Sequence, residues 1–167
     1  YSGTEMDILP DGSLDYDDEV LAQLDYVIAA IHQSFNQSED EIMKRLEVAC
    51  KNPYVRHIAH PTGRIIGRRP GYKPNIEKLM KLAEETNTIL EINANPKRLD
   101  LNAETVRKYP NVKLTINTDA HHTNHLEFMK YGVATAQKGF VTKDRVINAL
   151  SREEFKSLVE NNIKLKK

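Results

Sequence analysis

Hydrophobic and polar positions along the chain alternate between short apolar runs and amphipathic stretches. Five runs have the length and composition of strands: Thr4 to Leu9, Tyr26 to Ile31, Val55 to Ala59, Thr88 to Asn93 and Val112 to Thr118. Helical patterns lie between them. Ser38 and Glu41 form a capping-box pair ahead of Ile42, Leu46 and Ala49, and Asn52-Pro53 closes that segment. Asn75 caps a second helix carrying Ile76, Leu79, Met80 and Ala83, and Ala103 to Lys108 is a short helix stopped by Pro110. Asp15 to Leu24 has weak helical character. The C-terminal part reads as helical over His125 to Tyr131, Lys143 to Leu150 and Glu153 to Asn161, with a frayed tail at Lys164, Lys166 and Lys167. Pro10-Asp11-Gly12 signals a turn, and Pro61 to Lys73 a long loop rich in Gly, Pro and Arg. Strands alternating with helices predict an α/β fold with parallel strands. Five strands are few for a closed barrel, and the chain opens at Tyr1 straight into a strand-like run. The expectation is therefore one domain over residues 1–167 that is the C-terminal portion of a barrel, its N-terminal strands missing.

Composition narrows the function classes. The 167 residues suit a single core. Lys+Arg and Asp+Glu both number 24, so no overall field attracts nucleic acid, and a polyanion must be held by a local patch. No apolar run is long enough to span a bilayer and no signal peptide is visible, which predicts a cytoplasmic protein without membrane contact. Cys50 is the sole cysteine; it falls late in a helical pattern and reads as a small core residue rather than a nucleophile.

The candidate chemistry lies where the strands end. In a parallel α/β barrel, functional groups collect at the C-terminal ends of strands. Tyr26 to Ile31 runs into His32, Val55 to Ala59 into His60, and Val112 to Thr118 into Asp119, with His121 two residues on. In the last of these strands Leu114 and Ile116 share one face, while Thr115, Asn117 and Asp119 share the other. Glu5 lies in the first strand, after Gly3, where a backbone could approach a ligand closely. One strand-terminal histidine is usually structural, but three strand ends delivering His, His and Asp with His point to a divalent-metal site. Imidazole and carboxylate without thiolate suit Zn²⁺, Mn²⁺ or Fe²⁺. Strand phase places His57 on the side opposite His60, as a structural residue. His122 is expected to face away, and His125 to cap the following helix or support the site. Arg64, Arg68, Arg69 and Lys73 crowd the loop after His60, and Arg64 is the first candidate for a phosphate contact; Arg98 is a second.

These residues resemble the polymerase and histidinol phosphatase (PHP) domain, and in particular the C-terminal PHP domain of bacterial family X DNA polymerases. The resemblance is carried by residues 3–9, 27–32, 57–64, 91–94 with 98–101, and 117–121, which together cover essentially the whole chain. It implies a distorted seven-stranded, TIM-like (β/α) barrel with a multinuclear cluster of Zn²⁺, Mn²⁺ or Fe²⁺. It assigns Glu5, His32, His60, Asp119 and His121 as metal ligands. Glu5 and Asp119 would supply negative charge in catalysis, and Arg64 would stabilise charge on the phosphoryl oxygens. The implied activity is 3′–5′ exonuclease hydrolysis of DNA phosphodiesters in repair, with DNA reached through a parent polymerase. The alternatives are a histidinol-phosphate-type phosphomonoesterase or a non-catalytic scaffold for the polymerase core. The family's H-x-H pair and its further upstream Asp and His ligands have no counterpart in this sequence. The chain alone is therefore expected to bind metal incompletely, to be a poor nuclease, and to pair as a homodimer or swapped assembly.

Overall fold

Side-chain alternation along the strands sorts one sheet into an apolar and a polar face. In the computed structural model, whose described residues are 1–160, the strands are β1 (Gly3–Asp7), β2 (Tyr26–Ala30), β3 (Val55–Ile58), β4 (Ile89–Asn93) and β5 (Leu114–Asn117). All neighbours pair in parallel, in the order β1-β2-β3-β4-β5. The order follows the sequence without a reversal. That is the topology of an arc of a barrel, since a doubly wound sheet would have a switch point.

Helices α1 (Asp18–Leu21), α2 (Glu39–Lys51), α3 (Ile76–Glu85) and α4 (Ala103–Lys108) connect successive strands, and α5 (Met129–Lys138) and α6 (Arg152–Glu160) follow β5. The core joins Met6, Val27, Ala29, Ile58, Leu90, Ile92, Leu114 and Ile116 of the sheet to Leu46 and Ala49 of α2, Leu79 and Met80 of α3, Val106 of α4 and Ala136 of α5. Cys50 is fully buried in that core, as its place in the helical pattern predicts. Gly132 lets α5 lie close on the sheet, because a Cβ there would sit 2.5 Å from Ile116 Cγ2 and 2.7 Å from Ala94 Cβ.

Local signals set several helix starts. Ser38 Oγ accepts from the Glu41 amide at 3.3 Å, and Glu41 Oε2 accepts from the Ser38 amide at 2.8 Å, which completes the capping box. Asn75 and Asn102 cap α3 and α4 in the same manner. Ser38→Ala is expected to cost about 1 kcal/mol, read as a lower urea midpoint at unchanged slope. A loss below a few tenths of a kcal/mol would mean that the tertiary contacts of α2 make its cap redundant.

The C-terminal segments differ from the sequence expectation. Residues Thr123–Phe128 form a 3-10 helix that leads into α5, and Lys143–Arg145 and Ile147–Ala149 are two 3-10 turns instead of one helix. The reason lies in the edge of β5. Val146 bridges Leu114, and the Asn148 side chain accepts from the Ile116 amide (3.1 Å) and donates to its carbonyl (2.6 Å). Serving a strand edge suits a stretch with two 3-10 turns better than a continuous helix, whose backbone groups bond to one another. The expected helix from Asp15 to Leu24 shrinks to α1. The end of the predicted last helix at Asn161, and the lysine tail, lie outside the described residues. Among those residues no helix is long and apolar enough to cross a membrane.

Candidate metal centre

The polar face of the sheet carries Glu5, His57, Glu91, Thr115 and Asn117, and with Asp119 these line a cavity of about 280 Å³. Glu5, from the middle of β1, comes together with His32 and His60, which follow the C-terminal ends of β2 and β3. One donor atom from each lies within 4.8 Å of the others. Glu5 Oε1 is 3.2 Å from His32 Nε2 and 3.3 Å from His60 Nε2, and the two rings meet edge to face at 5.1 Å. Hydrogen bonds from His32, then His60, hold the Glu5 carboxyl far below the usual carboxylate range, against a desolvation that opposes it. The same bond from Glu5 raises His32, partial burial opposes this, and Asp7 adds to the rise. Two imidazoles and a carboxylate converging from three strands are a donor set that fits a borderline divalent ion. Among the described residues the buried Nδ1 of His60 has no hydrogen-bond partner, so that ring is not tied to them through its second nitrogen.

Asp7 is a residue of this cluster that sequence reasoning missed. Its carboxylate bonds His32 Nδ1, which turns Nε2 toward Glu5. A carboxylate on the far nitrogen of a ligand histidine fixes its tautomer and strengthens it as a donor. The signal was available: Asp7 stands two residues from Glu5 in one strand and shares its face.

Asp119 borders the same cavity as Glu5 but is held from another side. Arg98 Nε lies 3.0 Å from its Oδ2, and Asn93 Nδ2 lies 3.3 Å from the same oxygen. His121 stays beside it, with Nδ1 2.8 Å from the Asp119 carbonyl, yet its side chain is 79% exposed and stands apart from the Glu5–His32–His60 group. His125 supports this turn by accepting from the His121 amide at 3.2 Å, and its ring stacks on Phe128. His122 accepts from the Asn124 amide and begins the 3-10 helix.

Three expectations need correction. His57 does not lie away from the site: it lines the cavity, fully buried, with Nε2 3.0 Å from Thr115 Oγ1. The phase argument failed because β3 ends at Ile58, and His60 follows a turn with φ of 30°, so strand alternation does not carry through to it. Burial pulls the His57 pKa down to about 3, which keeps the ring neutral and structural. Arg64 is turned away from the metal-site residues: its Nε donates to the Arg98 carbonyl at 2.7 Å and its Nη2 to the Leu99 carbonyl. It braces the backbone from which Arg98 reaches Asp119. Gly3 gives close approach to the neighbouring strand rather than to a ligand, since an added Cβ would stand 2.6 Å from the Tyr26 carbonyl oxygen. The rest of the arginine-rich loop folds on itself. Arg69 donates twice to the Gly63 carbonyl and packs over Phe35, 3.9 Å from the ring centre.

An arc of parallel strands with histidine and carboxylate at its C-terminal ends defines the class, an α/β domain of TIM-like barrel type. The chain is 56% identical over 162 residues, 96% of its length, to the DNA polymerase/3′-5′ exonuclease PolX of Bacillus subtilis (strain 168). It is 29% identical over 158 residues to a protein named as a probable phosphatase in Thermoanaerobacter sp. (strain X514), and 38% identical over 95 residues to one so named in Caldanaerobacter subterraneus. These likenesses bear out the resemblance to the PHP domain of bacterial family X DNA polymerases. The chain spans 28% of the length of the Bacillus protein and 62% of the Thermoanaerobacter one. No protein-family model matches the sequence.

Proposed function

We propose that residues 1–167 are one unit, the C-terminal portion of a PHP domain in a PolX-type bacterial DNA polymerase. In this reading the complete domain hydrolyses DNA phosphodiesters from the 3′ end in repair, using divalent metal. The observation that carries the proposal is the convergence of Glu5, His32 and His60 on one point at the strand ends. The 3′–5′ exonuclease named in the Bacillus relative supplies the reaction class.

Glu5, His32 and His60 would hold one Zn²⁺, Mn²⁺ or Fe²⁺, and Asp119 with His121 would contribute to a further ion. When bound, the metal supplies Lewis-acid polarisation of the phosphate and a nucleophile from water near neutral pH. The chain's own residues prepare the site. Asp7 keeps His32 Nε2 directed at Glu5. Glu5 and Asp119 supply negative charge for cations. Arg98, on the backbone that Arg64 braces, would supply positive charge beside Asp119 for a phosphoryl oxygen. Net neutrality leaves most of the DNA affinity to other parts of the polymerase.

The phosphatase names of several relatives favour a phosphomonoesterase as the second reading. The test is to give the PolX-type protein carrying this chain a 3′-ended oligonucleotide and a small phosphomonoester, each with Mn²⁺ and with chelator. Metal-dependent shortening of the oligonucleotide at a specificity constant at least about tenfold above that for the monoester is expected. Hydrolysis of the monoester alone establishes the second reading. No chelator-sensitive turnover of either defeats both and leaves a scaffold.

A further inference from the structure

Glu91 is buried at 3% exposure in the middle of the polar face, on the strand between those that lead to His60 and Asp119. Its Oε2 accepts from the His60 amide at 2.7 Å and from Asn93 Nδ2 at 3.1 Å, and its Oε1 accepts from Asn117 Nδ2 at 3.1 Å. Asn93 Nδ2 also reaches Asp119 Oδ2 at 3.3 Å, and Asn117 is anchored by donating to Thr115 Oγ1 at 3.1 Å. The register places Glu91 opposite Thr115 and Asn93 opposite Asn117, so all four side chains project from paired positions.

Both residues that this network touches have unusual backbones. His60 has φ of 30° and Asp119 φ of 51°, and neither is glycine. Such conformations are disfavoured for side chains with a Cβ and persist where surrounding bonds hold them. At His60 the amide donates to Glu91, while the carbonyl accepts from the Gly63 amide at 2.8 Å and from the Tyr72 hydroxyl at 3.3 Å, so Glu91 is the side chain that holds the amide. Left without it, the amide would lose its hydrogen-bond partner in a buried place.

We infer that Glu91 is a positioning residue that fixes the His60 backbone and, through Asn93, the Asp119 carboxylate, and so sets the metal affinity of the whole site. The inference rests on the reading of His60 and Asp119 as ligands. Glu91 itself touches neither His32 nor Glu5 among the hydrogen bonds of the described residues. Its effect is exerted on the two ligands that follow β3 and β5.

The test compares Glu91→Leu, Glu91→Gln and Asn93→Ala with the parent protein, all in the PolX-type polymerase that carries this chain. Two quantities are read: amide hydrogen exchange at His60 in chelator-treated protein, and Mn²⁺ or Zn²⁺ affinity by titration calorimetry. Glu91→Leu is expected to speed His60 exchange and weaken metal binding by about ten- to a hundredfold, the range for a partner behind a metal ligand. Glu91→Gln keeps an oxygen for the His60 amide and should recover most of both. Asn93→Ala removes the branch to Asp119 and one donor to Glu91 Oε2 but leaves the bond from the His60 amide to Glu91, so it should weaken metal binding while speeding His60 exchange less than Glu91→Leu does. The inference fails if Glu91→Gln, folded by circular dichroism, is as impaired as Glu91→Leu, or if His60 exchange is unchanged in Glu91→Leu. Absence of metal binding by the parent polymerase would sink the hydrolase reading. The exchange measurement on metal-free protein would still decide whether Glu91 holds His60.

Discussion

His60→Ala is expected to abolish hydrolysis, with a loss beyond about a hundredfold, while nucleotide incorporation by the PolX-type protein continues. The bound of a hundredfold is what loss of a partner behind a ligand typically costs, and a ligand itself should exceed it. His60 is nearly fully buried and its Nε2 lies 3.3 Å from Glu5, so alanine leaves a donor gap that solvent reaches poorly. Metal content after dialysis should fall in parallel with hydrolysis, because Glu5 and His32 alone offer too few donors for a catalytic site of about three. Asp119→Ala should follow the same pattern. Metal content equal to that of the parent, with hydrolysis intact, would show that His60 is only a structural residue of the loop.

Leu46→Ala is expected to cost about 3 kcal/mol of stability. Leu46 is fully buried in α2 and belongs to the core that joins this helix to the first three strands. For a chain of this size that corresponds to a fall in Tm of roughly 6–12 °C. Val48, two residues further along the same helix, is 40% exposed, and Val48→Ala should stay within about 0.5 kcal/mol of the parent. The two variants measured together by thermal unfolding separate burial from helix propensity. Similar midpoints for both would mean that α2 is not packed on the sheet as described.

Local signals made most of the fold legible. The five strands and the starts of α2 and α3 follow from apolar runs and from Ser38 and Asn75, whose side chains bond the next turn without needing distant residues. The alternation of Leu114 and Ile116 with Thr115 and Asn117 correctly separates the core from the cavity. Failure came where a segment answers to a distant strand. The 3-10 turns after α5 follow from the unpaired edge of β5, which no local pattern around Asn148 reveals.

The site shows the same division. Sequence alone determined which strand ends carry imidazole and carboxylate, because parallel strands in order deliver their C-terminal residues to one side. It also determined the family likeness, through motifs that keep their spacing. Tertiary structure decided the partners. It joined Glu5, His32 and His60, put Asp7 behind His32, and turned His57 to the cavity once β3 ended. It also sent Arg64, the first candidate for a phosphate contact, to backbone carbonyls and Arg98, the second, to Asp119. Spacing fixes where a side chain starts, but a long, flexible arginine finds its carbonyl or carboxylate across the fold. That choice depends on groups more than 20 residues away in the chain, so it is made only when the strands are packed side by side.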